Sequence, residues 1–378
     1  MKFNKNTTLT SAIGISLSFL VFTSDLSFAD VEGITSEKSS QVEMIQMPNP
    51  EDYATAKSEM PMVDSLPDSA FDNNVLQSGS MQVVSGEGHE PRIKYRGKAT
   101  TLFNPILFPQ DSQAQEQDSQ AIPQAAGGSG LQFTSSKVFP QASDTAYPLS
   151  TTGKIWFTIN GFWKVCSGSM VKPGIVVTAG HCVHSGNNAS SGWYSNFQFA
   201  PAYRSGSAPY GIWRNWAFAN TTGTWYSGGG SVPNDADYAV IVFNKNASGR
   251  RIGDYTGWLG WQYPSMIGHH ITTLGYPNNL DGGSVNHRVD SNVNQGGGNT
   301  GVFGSDMTGG SSGGAIVLNL RQEYTGVASG WEHNPNRLVS VVSYGATDTS
   351  LMRQGGSQFD SRFQTLLNNT CSRYPWAC

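Results

Sequence analysis

From about Thr134 onward the chain is built of short runs rich in Val, Ile, Thr, Trp, Tyr and Phe. Each run ends in a cluster of Gly, Asn, Ser or Pro. Residues 154–160, 174–178, 238–243, 270–274, 315–318 and 338–344 are such runs. They are too short for stable helices, and their β-branched and aromatic side chains suit a pleated, half-buried surface. The pattern predicts an all-β fold with many turns. A turn-rich sheet needs glycine, and the chain supplies 44. One segment departs from this pattern. Residues 358–369 place Phe359, Phe363, Leu366 and Leu367 on one helical face, which predicts a C-terminal helix. No internal repeat is present.

The 378 residues divide into three parts. Residues 1–29 read as a secretory signal peptide. Lys2 and Lys5 precede an apolar stretch over residues 12–22, and Ser27-Phe28-Ala29 offers small residues for cleavage after Ala29. That stretch is too short to span a bilayer, so a membrane anchor is not expected. Residues 30–137 read as an acidic, partly disordered propeptide. Between 30 and 130 there are fifteen acidic and six basic residues; between 131 and 378, eleven acidic and fifteen basic. Residues 110–117 and 125–130 have the Gln, Asp, Ser, Ala and Gly composition of a flexible linker. Residues 81–108, with a basic cluster from Arg92 to Lys98, leave room for a strand or two. Residues 138–378 form the β domain. Its small, scattered basic excess gives no reason to expect a nucleic-acid partner.

Export permits disulfides. Cys166, Cys182, Cys371 and Cys378 allow three pairings, of which local pairing is the simplest. Thr178-Ala179-Gly180-His181-Cys182 places a histidine directly after an apolar run. Gly309-Gly310-Ser311-Ser312-Gly313-Gly314 places a serine in a glycine-rich turn. A serine hydroxyl is a weak nucleophile until a base takes its proton, and histidine is the usual base. Asp237 opens an apolar run and can accept the second ring N–H of His181; Asp235 is the rival, read as an exposed turn residue. His184 lacks the preceding Ala-Gly. His269, His270 and His287 lack the carboxylate or cysteine spacing of a metal site and are expected to be solvent-exposed or in loops. The Gly-x-Ser-x-Gly turn also fits an α/β-hydrolase esterase, but that fold places its acid and histidine after the serine. Here the order is His, Asp, Ser.

These three motifs resemble the catalytic motifs of chymotrypsin-like serine peptidases, over roughly residues 147–369. Gly275-Tyr276-Pro277, Trp258-Leu259-Gly260, Pro209-Tyr210-Gly211 and Asp306-Met307-Thr308-Gly309-Gly310 look closest to the bacterial glutamyl endopeptidase-like branch. The resemblance implies two six-stranded antiparallel β-barrels with the site between them and a C-terminal helix behind. It implies His181 as general base and acid, Asp237 as its orienting acid, and Ser312 as nucleophile. The N–H groups of Gly310 and Ser312 would form the oxyanion hole. Cys166-Ser167-Gly168-Ser169 resembles the strand that carries the histidine-loop disulfide, implying Cys166–Cys182 and leaving Cys371–Cys378. Ser343-Tyr344-Gly345 resembles the segment that lines the pocket and pairs with the substrate backbone. Ser311 stands where trypsin-type enzymes carry an activation aspartate, and Thr308 replaces a pocket cysteine.

Asp306 lies six residues before Ser312, where the resemblance to trypsin-like enzymes implies a pocket-base acid that would favour Arg or Lys before the scissile bond; it also implies Met307 in the pocket wall. No histidine flanks Ser343-Tyr344-Gly345, which argues against glutamyl specificity. The expected protein is therefore a secreted or periplasmic serine endopeptidase made as a zymogen. It would act as a monomer on protein or peptide substrates, need no cofactor, and be held by its own propeptide until cleavage between about residues 130 and 147, with Lys137–Val138 the favoured bond. The alternatives are a catalytically silent protease-like binding protein and a serine esterase.

Overall fold

The computed structural model describes residues 34–37, 48–64, 82–102, 131–321 and 334–378. The signal segment and the linker at 103–130 lie outside the described residues. Two antiparallel rings of strands dominate. The first runs Ser195–Pro201, Thr152–Ile159, Phe162–Lys172, Ile175–Thr178, Ala239–Phe243, Trp216–Thr221, and its two ends meet at the bridge between Phe199 and Trp213. The second runs Ala315–Leu318, His270–Gly275, His287–Gln295, Thr300–Gly304, Arg353–Ser357, Arg337–Ala346, and closes where Arg337–Ala346 pairs back onto Ala315–Leu318. This is the expected all-β architecture, with the second ring a closed six-stranded barrel and the first a half-barrel whose strand Trp216–Thr221 also pairs with Ile34–Glu37.

Closure explains the sequence pattern. The closed second ring leaves no open edge, and the inward side chains of both must fill their interiors. Ile155, Val176, Val177, Phe199, Val240 and Val242 are fully buried in the first ring's core. Each large apolar side chain so placed contributes about 1.5–3 kcal/mol. The expected C-terminal helix spans Ser361–Arg373, and the Asp360 side chain caps it by accepting from the Arg362 N–H. Phe363, Leu366 and Leu367 are its buried face. Cys371–Cys378 closes its end, and Phe363 lies edge-on to Tyr238 beside the Asp237 strand.

Parts of the acidic amino-terminal region are folded against these barrels. The helix Pro50–Thr55 is capped by Asn49, and Met62–Val63 pairs in parallel with Arg337–Ala346. Val84–Gly86 pairs with Gly260–Tyr263, and Phe133–Lys137 with His287–Gln295. Lys137 therefore ends a paired strand. Val138 is buried, and its N–H donates to the Asn286 carbonyl.

Lys154 is an unusual occupant of the first ring. Its ammonium is buried, donates to the Gly283 carbonyl at 2.7 Å, and lies 5.4 Å over the Trp156 ring and 5.6 Å over that of Tyr203. Burial without a paired carboxylate brings its pKa down to about 7. The unfolded chain then binds more protons than the folded one between pH 7 and the ordinary lysine range. Stability should therefore rise with pH across that window, by at most about 1.4 kcal/mol per unit from this residue. Urea unfolding of wild type and Lys154→Met at pH 7 and pH 9 checks this. Wild type should gain on the variant as pH rises, and a gap independent of pH would refute it.

Candidate active site

His181 sits in the short 3-10 turn Gly180–Cys182, immediately after the strand Ile175–Thr178. The Cys166–Cys182 disulfide ties that turn to the neighbouring strand. Both local cysteine pairings expected from the sequence are present. Gly180 has no room for a side chain, since a Cβ would lie 2.6 Å from the Trp225 ring and 2.8 Å from Asp237 Oδ1. The histidine can therefore approach the aspartate closely. Asp237 is fully buried just before the strand Ala239–Phe243. Its Oδ1 accepts from the His181 backbone N–H at 2.8 Å, and its Oδ2 accepts from His181 Nδ1 at 2.8 Å. The Ser343 hydroxyl donates to the same Oδ2 at 2.5 Å. This fixes the ring with Nδ1 toward Asp237 and leaves Nε2 for chemistry. Asp235, the rival acid, is exposed and accepts from Asn299 N–H, away from His181.

Ser312 comes from the second ring, in the turn before Ala315–Leu318. Its Oγ and His181 Nε2 are both buried, and neither has a hydrogen-bond partner among the described residues. Two glycines shape the turn. Gly310 has φ +92° and Gly313 has φ +76°. A Cβ at Gly313 would lie 2.0 Å from Thr178 Oγ1 and 2.4 Å from the Ser167 carbonyl. Gly313→Ala combines a left-handed backbone with this overlap and should cost about 2–5 kcal/mol. Denaturant unfolding would detect it, and a neutral result would mean the turn is not held this tightly.

Ser167 joins the two rings at this point. Its N–H donates to the Ser312 carbonyl at 2.7 Å, and its hydroxyl donates to the Gly310 carbonyl at 2.9 Å. That hydroxyl also accepts from the Tyr276 N–H, and the Ser167 carbonyl accepts from Thr178 Oγ1. The N–H groups of Gly310 and Ser312 make no hydrogen bond with described residues, so they are available to a developing oxyanion. Ser311, just before the nucleophile candidate, donates to the Thr308 carbonyl and accepts from Gln354 Nε2 at 2.9 Å.

The proposed pocket residues fall into two groups. Ser343, Tyr344 and Gly345 lie on Arg337–Ala346, with Tyr344 buried and its hydroxyl 3.2 Å from Thr300 Oγ1. Met307 is buried in the loop before Ser312. Asp306 is half-buried; its carbonyl accepts from Asn279 Nδ2, and its Oδ1 has no partner among the described residues. Sequence reasoning missed Gln354 and the carboxylate-binding role of Ser343. It also misplaced His287, which is buried within its strand and bonded to Asp281 Oδ2 at 2.8 Å. The lone apolar neighbours Val285 and Val289 were the only hint. Among the described residues, Cys166, His181 and Cys182 are grouped closely enough to suggest a metal site, but the disulfide leaves no thiolate to bind one.

A solved structure of similar shape is the protease Anisep from Arthrobacter nicotinovorans. It is 28% identical, with a TM-score of 0.50, and the match covers 60% of this chain and 98% of that one. The glutamyl endopeptidase of Bacillus licheniformis is 30% identical over 143 residues, covering 37% of this chain and 40% of its own. A Bacillus subtilis protein named extracellular metalloprotease is 33% identical over 115 residues, covering 30% of this chain and 33% of its own. The chain thus aligns with only a third to two fifths of the length of these curated relatives. The trypsin family model matches residues 144–345, a span that holds His181, Asp237, Ser312 and Ser343-Tyr344-Gly345. The chain belongs to the trypsin family.

Proposed function

We propose that the protein is a secreted serine endopeptidase, made as a zymogen, that cleaves protein or peptide substrates through an acyl-enzyme. The observation that carries this reading is the triple grip on the Asp237 carboxylate, which turns His181 Nδ1 toward the acid and leaves its Nε2, like Ser312 Oγ, buried with no partner among the described residues. His181 takes the proton of Ser312 as Oγ attacks the scissile carbonyl. Asp237 holds the tautomer and stabilises the imidazolium. The N–H groups of Gly310 and Ser312 receive the oxyanion. His181 then returns the proton to the leaving amine, and water releases the acyl group by the same route in reverse. Ser343-Tyr344-Gly345 receives the substrate backbone, with Asp306 and Met307 beside the pocket. No cofactor enters any of these steps, and one chain supplies all the groups.

The disulfide between the histidine turn and its neighbouring strand suits an oxidising location, and among the described residues no helix is long and apolar enough to cross a membrane. Processing at Lys137–Val138 would require the strand Phe133–Lys137 to open, because the bond joins a paired residue to a buried one. A fluorophosphonate probe tests the function. Processed protein should be labelled at Ser312 and should cleave a peptide library. A folded, processed protein that takes no label would instead be a binding protein of protease shape. N-terminal sequencing of the same sample locates the cut, and a mature chain beginning only at Asp30 would refute the zymogen.

A further inference from the structure

The segment from Tyr53 to Val63 crosses from one ring to the other. Tyr53 anchors it on the first ring. Its hydroxyl donates to Gln198 Oε1 at 2.6 Å and accepts from Arg214, and its ring lies edge-on to Trp156. Ser58 follows at the seam, where its hydroxyl accepts from the Val165 N–H at 2.8 Å and its carbonyl accepts from Asn278 Nδ2 at 2.9 Å. That carbonyl is so close to Gly309 that a Cβ there would lie 2.0 Å away. On the second ring, Pro61 O accepts from the Gly345 N–H at 3.0 Å, and Val63 O accepts from the Thr347 N–H at 3.0 Å. The backbone donor of Gly345, assigned above to the substrate, is already taken.

Between these anchors Met60 points into the second ring and is 4% exposed. It belongs to the apolar cluster that includes Phe303 and Val342. Its Sδ lies 3.4 Å from Gln354 Nε2 and would be 3.1 Å from a Cβ placed on Gly345. Gln354 is itself held, accepting from the Ser305 hydroxyl at 2.8 Å and donating to Ser311 Oγ at 2.9 Å. The side chain is thus enclosed between the loop that carries Ser312 and the strand that carries Ser343 and Gly345. The strap fills this space without behaving as a substrate. It offers no hydrogen bond to Ser312 Oγ or His181 Nε2, and no carbonyl to the N–H groups of Gly310 and Ser312.

We propose that residues 58–63 are a built-in inhibitor, in which Met60 fills the pocket that selects the substrate side chain and Gln354 forms its floor. The strap must leave before a peptide can enter. The contacts also define what the pocket takes: an unbranched, uncharged side chain whose end accepts weakly from the Gln354 amide. This rests on the endopeptidase reading for its consequence, though the strap's binding does not depend on catalysis.

The test uses a synthetic peptide of residues 56–64 and the processed enzyme. The peptide should bind in calorimetry and inhibit hydrolysis competitively, and the Met60→Asp peptide should bind at least about tenfold more weakly. In the full unprocessed chain, Met60→Asp should raise the rate of fluorophosphonate labelling at least about tenfold over wild type. Equal binding of the two peptides, or equal labelling of the two full chains where the processed enzyme is labelled, would overturn the proposal. Peptide binding without labelling of any form would leave the strap standing and remove the endopeptidase reading instead.

Discussion

Ser312→Ala is expected to lower turnover of a chromogenic peptide by about 10⁴–10⁶-fold in processed protein, with the thermal unfolding midpoint unchanged within a few degrees. The size follows from chemistry, because an alanine has no atom to form the acyl-enzyme. The residual rate belongs to the oxyanion donors and to substrate binding. The unchanged stability follows from the structure. Ser312 Oγ has no hydrogen-bond partner among the described residues, so its loss orphans none of them. The turn is held through main-chain atoms instead, by Ser167 N–H on the Ser312 carbonyl and Gly313 N–H on that of Val342. A Ser312→Ala enzyme with wild-type turnover would place the nucleophile elsewhere. A collapse in stability would mean the hydroxyl carries a structural role.

Asp237→Asn is expected to cost about 10⁴-fold in turnover, by a different route. The carboxylate accepts from three donors: the His181 N–H, His181 Nδ1 and the Ser343 hydroxyl. An amide has one oxygen and one NH₂ group, so at least one of these donors would face another donor. If the amide nitrogen faces Nδ1, the imidazole must take the other tautomer, with its proton on Nε2, and it can no longer accept from Ser312. Burial also makes the mismatch destabilising, by about 1–3 kcal/mol. The two effects separate experimentally. Turnover should fall far more than denaturant stability. Equal turnover in Asp237→Asn and wild type would remove Asp237 from the mechanism.

The runs at 174–178, 238–243 and 315–318 were legible because both faces of those strands are buried, leaving nearly continuous apolar sequence. Arg353–Ser357 was not. Its sequence is Arg-Gln-Gly-Gly-Ser, and its glycines are needed because a Cβ at Gly355 would strike the Tyr344 ring. His287–Gln295 was missed because its polar side chains find partners in other strands, as Asp290 does with Thr272. The candidate triad His181, Asp237 and Ser312 could be read because each sits in a short local motif. The Ser343 bond to Asp237 spans 106 residues and the Gln354 bond to Ser311 spans 43, and no local pattern encodes such pairings. The helix Pro50–Thr55 and the residues just after it escaped for the same reason, whereas residues 81–108 do hold the strands Val84–Gly86 and Thr100–Thr101 for which the sequence left room. Tyr53 and Met60 look like isolated residues in a polar segment until the surfaces that receive them exist.

Ser167 has a mechanical consequence. His181 and Asp237 ride on one ring and Ser312 on the other, while a single side chain and its own peptide groups stitch the nucleophile turn across the boundary. A small rotation of one ring against the other would break that stitch before it disturbed either interior. The protein would then lose its catalytic alignment while keeping nearly all of its sheet. On gentle heating, inactivation should come first and the loss of β-structure second, with the interval between them set by how firmly Ser167 grips.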